Sequence, residues 1–201
     1  RGLGDVYKRQ AFLFGDGGVA ALIERNPGFG TSWFSLNSDG SRGDLIKING
    51  GGYRMPSSPE TLREKVVDEY GNIRSEEQGY MQGADVFNFV IREIPRDIKR
   101  LAEWSGEDLQ GLDYYVFHQA NNFINTYLAK KLRLDAERIP STIAKFGNTS
   151  SVSVPLTIAS ELKGRMEGDR KLLLSAFGVG MTWGTAVVPF RDLRISDLVE
   201  V

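Results

Sequence analysis

Two polar residues in the second half of the chain have side chains suited to chemistry on a carbonyl group. His118 is the only histidine, and Asn148 lies beside Gly147 in a polar stretch. A neutral imidazole N–H and a carboxamide N–H both donate hydrogen bonds to a developing enolate or oxyanion without adding charge. The pair would therefore act as electrophilic donors and not as nucleophiles. A single histidine at the end of a strand can equally be a structural residue that is merely hydrogen-bonded.

The elements around these two residues predict where they lie. The apolar residues 114–117 indicate a short strand that ends at His118, and a second helix should begin near Asn121. A weaker strand at residues 139–142 precedes the loop that carries Asn148. Because loops at the carboxyl ends of strands in an open α/β sheet converge on one crevice, we expect His118 and Asn148 to meet there.

Further helices are predicted by apolar periodicity. Residues 87–101 carry apolar side chains at helical spacing, and Pro95 should kink or divide that helix. A third helix is predicted at residues 154–162. Two closing strands, at residues 172–175 and 182–188, are joined through residues 178–180.

The first third of the chain is less regular. Residues 11–14 and 19–23 predict a hairpin of buried strands around a glycine-rich turn. Between residues 26 and 83 long loops should dominate, with one strand at residues 44–48. The alternation of strands and helices over the whole chain predicts an α/β fold with a largely buried sheet.

The composition narrows the class of protein. The chain has 201 residues, 41% of them hydrophobic, and a formal net charge of -1, which is typical of a soluble globular protein and argues against nucleic acid as the main partner. With no cysteine and one histidine, disulfides and ordinary zinc sites are excluded, and we predict neither metal nor cofactor. No apolar run is long enough to span a bilayer and no signal peptide is evident, so a cytoplasmic protein without membrane contact is expected.

The other motifs give no support for a phosphate-binding loop or a serine hydrolase. The turn at residues 15–17 lacks the lysine and hydroxyl residues of a phosphate loop, so we interpret it as structural. No Gly-x-Ser-x-Gly elbow occurs, which argues against a serine hydrolase.

Six segments in order nevertheless give the sequence a specific resemblance. They are residues 13–17, 38–41, 86–87, 118–121, 147–150 and 176–184. Together they resemble the β-ketoacyl-acyl carrier protein synthase III family of condensing enzymes. The resemblance implies a thiolase-like α/β fold with a layered α-β-α-β-α core, of which this chain would hold the C-terminal half plus the last strands of the N-terminal half. Members of the family usually form homodimers.

The resemblance also divides the chain. Residues 1–10 lack strand or helix periodicity, and we interpret them as a non-native scar. Residues 11–82 would be the end of the N-terminal thiolase-like half with its connecting loops. Residues 83–192 would be the C-terminal half, and residues 193–201 a tail.

The reaction that the resemblance implies is a decarboxylative Claisen condensation. Acyl-CoA and malonyl-acyl carrier protein would give a 3-oxoacyl-acyl carrier protein, with His118 and Asn148 binding the malonyl thioester carbonyl. The backbone N–H of Val179 would help to form the oxyanion hole. The remaining positions would line the substrate and pantetheine channel: Gly83, Phe87, Asn121 and Phe177, although Phe177 and Trp183 are also expected to be mainly structural.

Two departures from the family pattern matter. The family's nucleophilic cysteine should lie in the first half, and this chain has none, so we expect the chain as given to be inactive because that half is missing. Phe123 replaces an arginine implicated in carrier-protein docking. The cations Lys130, Lys131 and Arg133 remain as a docking patch for an acidic acyl carrier protein, or are simply solvated charges at a helix end.

Two further functional hypotheses stay open. One is a related thiolase-fold enzyme, either an acyltransferase acting on a small acceptor or a polyketide-type synthase. The other is a non-catalytic, half-length partner protein. The acyl chain and the pathway served cannot be read from these residues.

Overall fold

The computed structural model describes residues 13–26, 28–67, 69 and 71–199. Its longest strands form one sheet: β1 is Trp33–Ser38, β6 is Tyr114–Phe117, β7 is Asp169–Gly178 and β8 is Thr182–Arg191. They lie in the order β1-β8-β7-β6. Only β6 and β7 are parallel, and the other two pairs are antiparallel. The sheet is therefore mixed, and its parallel pair is the one that ends beside His118.

Short elements connect the sheet to its helices. The two-residue strands β2 (Ile46–Lys47) and β5 (Tyr80–Met81) pair with each other, as do β3 (Lys65–Val66) and β4 (Ile73–Arg74). The α-helices are α1 Pro59–Leu62, α2 Gly83–Ser105, α3 Asn122–Leu132, α4 Ile143–Phe146 and α5 Ser153–Glu161. Single 3-10 turns occupy Gly40–Leu45, Leu109–Gly111, Ala136–Arg138 and Ser150–Val152.

Helices α2 and α3 cover one face of the sheet and build the larger core. The apolar stripe of α2 is buried there: Phe89, Val90, Ile94, Ile98 and Leu101. Pro95 lies within this helix and does not divide it, so of the two expected effects, a kink or a division, the division does not occur. A proline inside a helix costs about 3 kcal/mol. Burial of each large apolar side chain contributes roughly 1.5–3 kcal/mol, and five of them outweigh that cost.

A buried carboxylate attaches α2 to β1 through polar groups. Asp97 Oδ1 accepts hydrogen bonds from Ser35 Oγ (2.6 Å), Asn37 Nδ2 (2.8 Å) and Arg100 Nη2 (2.8 Å). The first two donors lie on the face of β1 that packs against the helix. Because loss of these bonds would leave the buried Oδ1 without partners, this cluster fixes the position of β1 relative to α2.

The other face of the sheet is only partly covered. Helix α5 packs on β6 and β7 through a smaller core with Val116, Leu162, Met166 and Leu172, and Leu193 and Ile195 pack against the same cluster. Toward β1 and β8, the outward side chains Phe34, Leu36 (82% exposed) and Ala176 are exposed, and Ala186 beside them is half-buried. These four residues are called the open sheet face below.

Three sequence expectations were wrong in detail. The hairpin over residues 11–23 is absent among the described residues 13–23. The only pairing there is an isolated bridge between Phe14 and Asn148. The side chains of Leu22 and Ile23 are exposed. Residues 11 and 12 lie outside the described part. An apolar run forms a strand only beside a partner strand, and the described residues offer these runs none.

The other two errors concern short strands. Residues 139–142 form no strand, because Pro140 cannot donate to a ladder and Thr142 N–H bonds a side chain instead. The strand expected at residues 44–48 shrinks to β2, since the 3-10 turn extends to Leu45. The predicted boundary between the two thiolase-like halves, between residues 82 and 83, stays a prediction. Helix α2 begins at Gly83, as this boundary requires, but β1 from the first segment pairs with β8 from the second.

We expect core and open-face leucines of the same sheet to respond differently to truncation. Leu173 is fully buried in the larger core, so Leu173→Ala should lower the free energy of unfolding by about 2–5 kcal/mol. Leu36→Ala is the matched control and should change it by no more than about 0.5 kcal/mol. Urea-induced unfolding measures both. Equal losses would contradict the assignment of the two faces.

Candidate functional site

His118 lies directly after β6 and is fixed at its backbone and at its ring. Its N–H donates to Ser175 O of β7 (2.8 Å), which extends the parallel ladder by one residue. The ring Nδ1 lies 2.7 Å from Ser153 Oγ, and the ring packs edge-on against Phe177 with 5.2 Å between centroids. Burial lowers the pKa of His118 from 6.5 to about 4. The imidazole is therefore neutral at pH 7 and can donate one N–H.

The next residue, Gln119, is completely buried, and both ends of its side-chain amide form hydrogen bonds. Its Nε2 donates to Phe117 O (2.7 Å), while its Oε1 accepts from Ser141 Oγ (3.0 Å) and Thr142 N (3.1 Å). These bonds join the end of β6 to the segment that leads through α4 to Asn148. Gln119 therefore holds the two halves of the candidate site together.

Asn148 is held by its backbone against residues 13–15. Its N–H donates to Leu13 O (2.6 Å), and its carbonyl accepts from Gly15 N (3.1 Å). At Gly147 φ is 65°, and a Cβ there would lie 2.7 Å from Leu13 O. At Gly15 a Cβ would lie 1.9 Å from Phe146 O. Both positions need glycine because the two segments approach so closely. The packing at Gly15 agrees with a structural role for residues 15–17, although the structure assigns no turn to them.

The carboxamide of Asn148 has a defined orientation. Ser150 N–H donates to Asn148 Oδ1 (2.9 Å), so the oxygen is the bonded atom and Nδ2 keeps its hydrogens for other acceptors. Asn148 is followed by the 3-10 turn Ser150–Val152 and then by Ser153, which bonds the His118 ring. One short segment thus carries the asparagine and contacts the histidine.

A cleft of about 560 Å³ lies on the open sheet face next to this segment. Its wall includes Ser151, Val154 and Phe177, and Phe177 in turn contacts the His118 ring. Neither His118 nor Asn148 lines the cleft itself. The cleft adjoins the candidate site and is not identical with it.

The remaining predicted site residues lie on three elements. Val179 is exposed in the β7–β8 connection, and its carbonyl accepts from Thr182 Oγ1 (2.7 Å). Gly83 is the exposed first residue of α2, and Phe87, one turn later, packs on Phe123 at 5.5 Å. Asn121 caps α3, and its Oδ1 accepts from Ile124 N (2.9 Å).

The predicted docking residues are exposed at the other end of α3. Lys130 and Lys131 lie in its last turn, where cations stabilise the helix dipole. Arg133 follows in the left-handed conformation, with φ 56°. All three basic residues are accessible to solvent. Their exposure is compatible both with docking of a carrier protein and with simple solvation.

Two buried residues next to His118 were not predicted as functional from the sequence. Ser153 and Gln119 form the polar contacts that hold the ring and its strand end. In the sequence, Gln119 belongs only to the segment 118–121 that contributes to the family resemblance. Ser153 had no signal at all, because its partner is 35 residues away along the chain.

No group of three or more potential metal ligands occurs among the described residues. Within the same residues, no helix is long and apolar enough to cross a membrane.

The buried histidine predicts a specific dependence of stability on pH. The pKa of His118 is about 4 in the folded chain against 6.5 when solvated, so the unfolded state binds more protons between these values. The free energy of unfolding should therefore fall as pH falls from about 6.5 to about 4, by up to roughly 3 kcal/mol. His118→Gln should lack this component, and urea titrations of both proteins between pH 7 and pH 4 measure the difference. Parallel curves would contradict the burial of the ring.

Comparisons with known proteins identify the family. A family model for the C-terminal region of 3-oxoacyl-[acyl-carrier-protein] synthase III matches residues 102–190. The β-ketoacyl-[acyl-carrier-protein] synthase III of Streptococcus mutans is 35% identical over 181 residues, which cover 89% of this chain and 52% of that protein.

Solved structures agree with the sequence matches. A 3-oxoacyl-(acyl-carrier-protein) synthase III superimposes with a TM-score of 0.73 at 33% identity, over 85% of this chain and 50% of the other. A 3-oxoacyl-(acyl carrier protein) synthase from Burkholderia xenovorans superimposes with a TM-score of 0.72 at 35% identity, over 84% of this chain and 46% of the other.

The chain spans about half the length of the curated relatives it matches. The solved structures have the thiolase-like α/β fold that the sequence predicted. By sequence and by fold, the chain belongs to the β-ketoacyl-acyl carrier protein synthase III family, and it corresponds to the C-terminal portion of the family's members.

Proposed function

We propose that this chain is the C-terminal portion of an enzyme that condenses acyl-CoA with malonyl-acyl carrier protein to give 3-oxoacyl-acyl carrier protein. The observation that carries the proposal is a neutral His118 held by the same short segment that presents the Asn148 amide. The family match supports it. The acyl carrier protein would thus be both a substrate carrier and a partner.

The two side chains suit the decarboxylation half of the reaction. Loss of carbon dioxide from a malonyl thioester leaves an enolate whose negative charge gathers on the thioester oxygen. His118 and the Asn148 amide would each donate a hydrogen bond to that oxygen. Because both donors are neutral, they stabilise the charge as it forms and remain protonated afterwards.

The other predicted residues would bind the rest of the substrate. The backbone N–H of Val179 would donate to the oxyanion of the acyl intermediate, and a backbone donor does not depend on the side chain present. Gly83, Phe87, Asn121 and Phe177 would line the pantetheine channel.

If the reaction uses a cysteine nucleophile, that residue would have to come from outside this sequence. The chain has no cysteine, and it matches only about half the length of the curated relatives. We infer that an N-terminal half carries the cysteine on a helix and covers the open sheet face, because a layered thiolase-like core needs helices between its two sheets. The chain as given would then be inactive, and the complete protein would be a cytoplasmic homodimer.

The proposed donors predict a large loss of activity on truncation. The chain fused to the N-terminal half of the Streptococcus mutans relative should release carbon dioxide and form 3-oxoacyl product, whereas the chain alone should not. In the fusion, Asn148→Ala should lower kcat about 10²- to 10³-fold, because one donor to the enolate is lost. Asn122→Ala is the matched control, an exposed asparagine on α3, and should retain activity.

The products distinguish the competing functions. Acyl transfer without release of carbon dioxide would favour the related acyltransferase. A fully active Asn148→Ala fusion would contradict the role of the amide. A folded fusion without any turnover would favour the non-catalytic partner.

The exposed cations of α3 form the proposed docking patch: Lys130, Lys131 and Arg133. An acidic carrier protein would be attracted to this patch, and such steering weakens as salt screens the charges. The exposed aromatic ring of Phe123 lies on the same helix and packs on Phe87.

Charge reversal should separate docking from solvation. In the fusion, Lys131→Glu should raise the KM for malonyl-acyl carrier protein several-fold, with a smaller effect at high salt. Lys99→Glu on α2 makes the same change of net charge at an exposed site and should leave KM unchanged. Equal effects of the two substitutions would show that the α3 cations are merely solvated.

A further inference from the structure

The hydroxyl of Ser153 occupies a critical position beside the imidazole. Ser153 is the first residue of α5, and only 1% of it is exposed. Its Oγ lies 2.7 Å from His118 Nδ1 and 3.3 Å from the backbone N of Gln119. It therefore contacts two successive residues at the end of β6.

The hydrogen-bonding capacity of these groups decides which atom carries the proton. The Gln119 N–H can only donate, so it takes one lone pair of the Ser153 oxygen. Among the described residues, the only acceptor found for the Ser153 hydroxyl proton is His118 Nδ1. If Nδ1 carried a proton, the serine oxygen would accept two N–H groups and its own proton would be buried without a partner.

The geometry points to Ser153 as a positioning residue that donates to Nδ1 and so fixes His118 as the Nε2-protonated tautomer. A buried, unbonded hydroxyl proton is unfavourable enough to disfavour the other tautomer by about tenfold or more. The inference deepens the proposed function, because only Nε2–H points away from the protein contact and remains free to donate to a substrate oxygen.

Ser153 is itself held in place by a chain of buried groups. Its carbonyl accepts from Thr157 Oγ1 (2.8 Å), which also lies 2.8 Å from Thr142 Oγ1. Thr142 N donates to the Gln119 side chain (3.1 Å), which closes the network. The serine hydroxyl therefore has little freedom to turn toward another partner.

The single histidine makes the proposal directly measurable. In the chain as given, uniformly labelled with ¹⁵N, a two-bond ¹H–¹⁵N correlation spectrum contains one imidazole and distinguishes its two neutral tautomers. At pH 7 the Nε2-protonated pattern is expected. Ser153→Ala should raise the Nδ1-protonated fraction about tenfold, whereas Ser153→Thr, which keeps a hydroxyl, should restore the original pattern.

Controls keep the outcome decisive. Ser151→Ala removes an exposed hydroxyl two residues away and should leave the imidazole spectrum unchanged. An Nδ1-protonated pattern in the unsubstituted chain would overturn the proposal even if Ser153→Ala failed to fold. An unchanged tautomer in a folded Ser153→Ala would overturn it as well.

The spectrum is independent of turnover. An inactive fusion whose histidine shows the expected tautomer would count against the proposed function and leave the positioning role intact. An active fusion whose histidine shows the opposite tautomer would support the proposed function and overturn the positioning role of Ser153.

Discussion

The cost of leaving a buried polar group unbonded is the constraint on which the candidate site depends. Gln119 avoids this cost with one side chain that bonds the end of β6 and the segment at residues 141–142. An unpaired backbone group in such a place costs about 1–3 kcal/mol, so the two segments cannot separate without penalty. The histidine and asparagine are therefore arranged by a residue that need not touch any substrate.

The electrostatics of the site follow from the same enclosure. No ionised partner accounts for the low pKa of His118; its cause is the loss of water around the ring. A carboxylate beside the ring would have favoured the imidazolium, whereas a serine hydroxyl leaves it neutral. The Asn148 amide is likewise uncharged. A site of this composition offers hydrogen bonds to an anionic oxygen without attracting free anions strongly.

Local sequence patterns predicted the parts of the fold that rely on local contacts. The stripe of α2, the strand β6 and the start of α3 near Asn121 all lie where the spacing placed them. The errors at residues 11–23 and 139–142 have a common cause: whether an apolar run becomes a strand depends on a partner distant in sequence. The same limit hid Ser153, whose role exists only because α5 packs beside β6. His118 and Asn148 stand out in the sequence because a single histidine and a glycine-flanked asparagine are unusual, and their roles stay predictions.

The open sheet face has a consequence for how the isolated chain behaves with temperature. Phe34 and Leu36 leave apolar surface in water, and the driving force for covering such surface is largely entropic near 25 °C. It weakens on cooling. Self-association through this face would accordingly loosen in the cold and tighten with warming, opposite to an assembly held by enthalpy-driven polar contacts.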